Sequence, residues 1–222
     1  MQNKIVHTFE LEKLIDYDCY LKIDNILFRA TKTTPHREYI NTLWYSMEIR
    51  TYKLIPECPV ELRTEIFMPD EFSWTYSFVM RINPAKIIYR DYINASDIET
   101  ARSVEFPINN MFENLRINFR YKDFKLKRID YTRDYKFESK ELAEKYLKLI
   151  KKSDIPDGFE LYTKPSLTGH RVVPPKSSYY CKNSRVKINI YDRYEKMKHE
   201  LLENGTYEGI DMTEVLGIIR FE

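Results

Sequence analysis

Asp130 and Asp134 stand four residues apart in Arg128-Ile129-Asp130-Tyr131-Thr132-Arg133-Asp134, a run that otherwise reads as a β-strand. Side chains at even spacing along a strand point to one face. Both carboxylates, with Thr132 between them, are therefore expected on one side, and Ile129, Tyr131 and Arg133 on the other. Like charges on one sheet face repel unless a cation covers them. Two readings follow. The carboxylates are oxygen ligands for a divalent metal, or they line a solvated strand face with Lys or Arg as counter-ions.

Basic residues flank this run. Lys122, Lys125, Lys127 and Arg128 lead into it, and Lys182, Arg185 and Lys187 form a second cluster further on. Such clusters are commonly solvated faces, but two basic hairpins would also suit a phosphate backbone. The total charge gives no guide: 36 Lys and Arg against 34 Asp and Glu leave +2. Any nucleic-acid surface must come from uneven distribution.

Tyr is frequent, at 18 residues against 5 Gly. Aromatic rings favour strands and also offer stacking faces to bases. Cys19, Cys58 and Cys181 form no CxxC pair, so neither a zinc knuckle nor a disulfide framework is suggested. His7, His36, His170 and His199 are isolated. No glycine-rich phosphate loop is present, which argues against a nucleotide-hydrolysing motor. With no apolar leader and no membrane-length run, the expectation is a soluble cytoplasmic protein without membrane contact.

The elements that must position these residues follow from periodicity. Residues 5–9 read as an edge strand, and residues 20–30, 44–54 and 74–82 as further strands. Residues 87–92 are short and apolar. Ser96 with Glu99 forms a capping box for a helix over 97–113 that Pro107 kinks or splits. Residues 115–121 and 125–135 read as a hairpin turning at Lys122-Asp123. Ser139 caps a helix through Lys152. Residues 178–181 and 186–191 form a second hairpin, residues 192–203 a short amphipathic helix ended by Asn204-Gly205, and residues 215–221 a last strand; residues 171–176, with Pro174-Pro175, are a loop.

This order predicts an α+β fold, an antiparallel sheet with helices packed on one face, with two related β-β-α halves as one form of it. The chain (222 residues, 43 % hydrophobic) reads as a β-rich half over 1–115 and an α+β half over 116–222, sharing one globular unit.

Over residues 125–222 the chain resembles rolling-circle replication initiation proteins of Gram-positive plasmids, phages and mobile elements. Arg128-Ile129-Asp130 with Asp134 resembles their Arg-hydrophobe-Asp element with its downstream Asp. Ser178-Tyr179-Tyr180, Ser184-Arg185 and Ile190-Tyr191-Asp192-Arg193 resemble their tyrosine hairpin and the Tyr-Asp-Lys element after it, with Arg193 in place of Lys. Ile219-Arg220-Phe221-Glu222 resembles their later Arg-hydrophobe-Glu strand. Because the chain ends on Glu222, the resemblance is to a shortened relative.

The resemblance implies DNA nicking and joining. A tyrosine attacks one phosphodiester, a 5′-phosphotyrosyl link forms, and the 3′-hydroxyl leaves. A phenol ionises near pH 10, so a metal or base must assist. The implied roles are Tyr180 as nucleophile, Arg185 on phosphate, and Asp130, Asp134 and Glu222 around Mg²⁺ or Mn²⁺. Lys125, Lys127, Arg128, Lys182, Lys187 and Arg193 would contact single-stranded or origin DNA. The other expectation is a non-catalytic relative that binds nucleic acid or inhibits a host protein or ribonucleoprotein, such as a defence system.

Overall fold

The structure, a computed structural model, describes residues 5–54, 59–90, 95–161, 177–204 and 211–222. It is α+β, with two antiparallel sheets of six and five strands. Two compact units divide it, Met1–Tyr131 and Thr132–Glu222. The sequence reading set the division near residue 115. It falls later because the strand Lys125–Tyr131 pairs with Val6–Ile15 in the first sheet.

In the first unit, β1 (Val6–Ile15) leads into α1 (Tyr17–Thr31), then β2 (His36–Asn41), β3 (Ser46–Tyr52), β4 (Val60–Met68) and β5 (Thr75–Ile82). Three helices follow, α2 (Pro84–Tyr89), α3 (Ile98–Arg102) and α4 (Glu105–Leu115), and then β6 (Lys125–Tyr131). The sheet order is β2-β3-β4-β5-β1-β6. β1 is thus interior, between β5 and β6, and not the edge strand expected from residues 5–9.

Residues 20–30 form most of α1 and not a strand. The Asp16 carboxylate accepts a hydrogen bond from the Cys19 amide at 2.7 Å, which caps the helix. Tyr20, Ile23, Leu27 and Thr31 then recur at helical spacing and are buried. The helix expected over 97–113 is two. Asp97, not Ser96, caps α3 by accepting from the Thr100 amide at 2.7 Å. The break comes at Ser103-Val104, and Pro107 lies in the first turn of α4, where a missing N–H costs no helical bond.

Phe9, Leu62, Phe78, Met80 and Ile82 from the strands meet Leu27, Val104, Ile108 and Phe112 from the helices in one core. Phe112 and Phe124 stack at 5.6 Å, with Phe119 edge-on to both. Each such ring contributes about 1.5–3 kcal/mol by leaving water. Residues 115–121, expected as a strand, end α4 and enter a single 3-10 turn at Tyr121–Asp123.

The second unit contains β7 (Arg133–Lys136), α5 (Lys140–Lys152), β8 (Glu160–Leu161), β9 (Ser178–Lys182), β10 (Lys187–Asp192), α6 (Arg193–Asn204) and β11 (Ile218–Phe221). Its sheet order is β7-β11-β10-β9-β8. Ser139 caps α5 as expected, accepting from the Leu142 amide at 3.2 Å. Ala143 and Leu147 of α5 pack on Tyr179, Cys181, Ile190 and Ile219 of the sheet. Cys58, the loop 171–176 and Gly205 lie outside the described residues. Among the described residues no helix is long and apolar enough to cross a membrane.

Candidate functional site

The run that carries Asp130 and Asp134 is two strands, not one. β6 ends at Tyr131 and β7 begins at Arg133, and they belong to different sheets. Each carboxylate has its own partners within its own unit. Asp130 is buried, and it accepts from the Thr8 hydroxyl at 2.5 Å and from Arg128 Nε at 2.6 Å. Asp134 meets Arg220 through two bonds, Nε to Oδ1 at 2.7 Å and Nη2 to Oδ2 at 2.9 Å, and Arg193 Nη1 to Oδ2 at 2.7 Å.

Lys127, a basic candidate of the first unit, is engaged in the same way. A register shift between Glu10 and Leu11 leaves Lys127 as an extra residue on β6, and such a bulge re-aims the side chain it carries. Lys127 Nζ donates to Glu65 at 2.5 Å and to Glu12 at 2.9 Å. Arg63 closes the network, bonding Glu10 at 2.7 Å and Glu65 at 2.9 Å. Lys125 is exposed and has no ion pair among the described residues.

In the second unit, strand alternation sorts the remaining candidates. Tyr179, Cys181, Ile190 and Ile219 face α5. Ser178, Tyr180, Asn189, Tyr191 and Arg220 therefore point to the opposite face. Register sets them in rows. Asp134, Arg220, Tyr191 and Ser178 are successive cross-strand partners. Tyr180 pairs with Asn189, whose backbone exchanges two 2.8 Å bonds with Glu222. Four of the sequence candidates thus gather here: Tyr180 and Glu222 in one row, Asp134 in the next, and Arg193 reaching Asp134 from the start of α6.

A cleft of about 440 Å³ opens beside Tyr180, lined among others by Ser178, Tyr191, Asp192, Lys196 and His199. Asp192 Oδ1 caps α6 by accepting from the Glu195 amide at 3.1 Å. Its Oδ2 is buried and has no hydrogen-bond partner among the described residues. Burial, with Glu195 adding to it, raises the Asp192 pKa above the ordinary aspartate value. Burial also pushes the Tyr191 phenol far up, with Glu222 adding to it and Arg220 opposing, and the Lys196 ammonium sits 4.2 Å from the Tyr191 ring centroid. Tyr191 is thus held as a neutral phenol.

The hairpin turn between β9 and β10 presents Arg185. Asn183 Oδ1 accepts from the Arg185 and Val186 amides at 2.8 and 2.7 Å, and the Arg185 side chain is exposed with no ion pair among the described residues. Lys187 is exposed, and Lys182 stands 3.3 Å from Glu160. Arg193, by contrast, is 3 % exposed and spent on Asp134, so it offers nothing to an outside phosphate.

Sequence reasoning quoted Arg220, Tyr191 and Asp192 within motifs but gave none of them a role. The signal for Arg220 was present: it alternates with Glu222 and so shares its face.

The donor set does not fit a divalent cation. Both strand carboxylates already serve guanidinium groups. Among the described residues no group of three or more His, Cys, Asp or Glu side chains is arranged to hold a metal ion. No protein-family model and no curated protein matches the chain.

Proposed function

We propose that the chain is a nucleic-acid-binding protein of a phage or mobile element that keeps the scaffold of a tyrosine replication initiator and acts without its metal-assisted nicking. The observation that carries this reading is the saturation of Asp134. Its two oxygens are shared between the nearly buried Arg193 and Arg220. A cation entering there would strand two guanidinium groups away from water, a penalty of several kcal/mol.

The binding half of the reading rests on the cleft beside Tyr180 and on the neighbouring hairpin. Tyr180 is half-buried and lines the cleft together with Lys196, Lys198 and His199. An unstacked base suits that lining, with its ring on tyrosine. Arg185 and Lys187 on the neighbouring hairpin supply charge for the phosphates.

The second reading, nicking by Tyr180, draws on Tyr180 and Glu222 sharing that face. Incubation with labelled single-stranded and supercoiled DNA in Mg²⁺ or Mn²⁺ separates the two. The binding reading expects a shifted band in a native gel and no adduct after denaturation. An adduct that Tyr180→Phe abolishes would establish the nicking reading instead.

A further inference from the structure

One end of the six-stranded sheet carries a cluster of exposed apolar side chains. The antiparallel register brings the turn between β2 and β3, the turn between β4 and β5, and the end of β1 to the same edge: Asn41 faces Ser46, Ser46 faces Met68, Phe67 faces Thr75, and Ile15 faces Tyr76. On these segments Leu43 is 96 % exposed, Phe72 94 %, Trp44 84 %, Leu14 66 %, Trp74 53 % and Tyr17 52 %. Scattered exposed apolar residues are ordinary; six large ones on three adjoining segments mark a contact surface.

Both turns are fixed, so the rings are held out and not merely loose. The Thr42 hydroxyl accepts from the Trp44 and Tyr45 amides, each at 3.2 Å, and the Thr42 amide donates to the Tyr45 carbonyl at 2.9 Å. Asp70 Oδ1 accepts from the Phe72 and Ser73 amides at 2.8 and 2.6 Å, and these bonds hold its carboxyl below the usual range. Ring contacts tie the base of the surface together, Tyr45 to Phe67 at 5.2 Å and Tyr17 to Tyr76 at 5.4 Å. A preformed aromatic surface loses little side-chain entropy on binding.

Charge says what it meets. Residues 14–18, 41–46 and 68–76 contain Asp16, Asp18, Asp70 and Glu71 and no Lys, Arg or His. In a chain of net charge +2 these three segments carry only acidic charge, and Lys13 at their border reaches the Phe119 ring. It repels nucleic-acid phosphates, anionic lipid headgroups and a second copy of itself. We propose that this end of the first unit docks a basic protein segment bearing apolar side chains, the aromatic tips burying the apolar groups and the four carboxylates meeting Lys or Arg around them. Aromatic anchors inside a charged rim are the usual makeup of a binding hot spot. This site lies on the first unit, and its test does not depend on the nucleic-acid reading.

The protein's two tryptophans, Trp44 and Trp74, both lie on this surface, so intrinsic fluorescence reports it directly. The probe is a synthetic amphipathic helix with Lys on one face and Leu on the other. Binding is expected to shift tryptophan emission to the blue, saturably, and to weaken as salt is raised. The double variants Leu43→Ser with Phe72→Ser, and Asp18→Asn with Glu71→Gln, change exposed side chains only and keep both reporters. Each should lower affinity by about tenfold or more, with an unchanged circular dichroism spectrum. Four results would overturn the proposal: no emission change with the peptide, an equal response to the same peptide with Glu for Lys, a response to phosphatidylcholine vesicles alone, or a blue shift on concentrating the protein by itself.

Discussion

Arg220 holds Asp134 through two parallel bonds, as its cross-strand partner from β11 to β7. The Arg220 side chain is 4 % exposed against 28 % for Asp134. The arginine is therefore the group that cannot do without the pair: burial alone would disfavour its charge, and the Asp134 bond and the nearby Tyr191 and Glu222 keep it protonated. A fork of this geometry suits a carboxylate better than any other partner in the unit. It converts the would-be ligand Asp134 into a structural anion.

Removing that anion should therefore unfold the second unit more easily. Asp134→Ala takes away the carboxylate that pairs with the buried Arg193 and Arg220, and the expected loss is about 3 kcal/mol or more. Denaturant titration followed by far-ultraviolet circular dichroism reads it. A loss within about 0.5 kcal/mol, the range of ordinary surface changes, would mean the pair is not a structural one.

Gly217 and Gly158 give a second, paired expectation. Both have positive φ, +71° and +77°. A Cβ at 217 would lie 3.1 Å from the Phe137 carbonyl oxygen and 3.3 Å from the Ser139 backbone, whereas one at 158 meets nothing within 4 Å. Phe137 also donates its amide to the Gly217 carbonyl at 2.8 Å, so the neighbour cannot retreat without losing that bond. Gly158→Ala should cost about 1–2 kcal/mol for the backbone alone, and Gly217→Ala clearly more. Equal midpoints in thermal melts of the two variants would contradict this.

Asp192 sets a pH dependence. Its folded pKa is raised by burial, so the folded state favours the protonated form and the charged form opposes folding. The group's stabilising effect is full below the unfolded value of about 3.9, and it is lost as pH rises through the folded value. Asp192→Asn keeps an oxygen for the Glu195 amide and removes the charge. The variant should be more stable than the parent at neutral pH, with the gain shrinking toward pH 4. A gain that grows on acidification would contradict the sign.

The parts of the fold written in local signals were legible. Ser139 with the apolar stripe after it gave α5, and the β9–β10 hairpin followed from two short apolar runs around a polar turn. α1 was hidden because Tyr20, Leu21, Ile23, Ile26, Leu27 and Phe28 are as dense as the apolar residues of a buried strand; Asp16, read as a cap, distinguishes the two. The site was half legible. The resemblance named Tyr180 and Glu222, which the register brings to one face, but a one-residue break at Thr132 sends Asp130 and Asp134 to different sheets. Which cation a carboxylate meets depends on Arg220, 86 positions away, and no local pattern carries that.

The most direct measurement of the central claim is the fluorescence anisotropy of a labelled mixed-sequence single-stranded DNA titrated with the protein, over a salt series, in Mg²⁺ and in EDTA. Phosphate-led binding predicts affinity that falls linearly with the logarithm of salt, is the same in Mg²⁺ and in EDTA, and drops when Arg185→Ala and Lys187→Ala are combined. Binding that requires the divalent cation, or no binding at the lowest salt, would contradict the account.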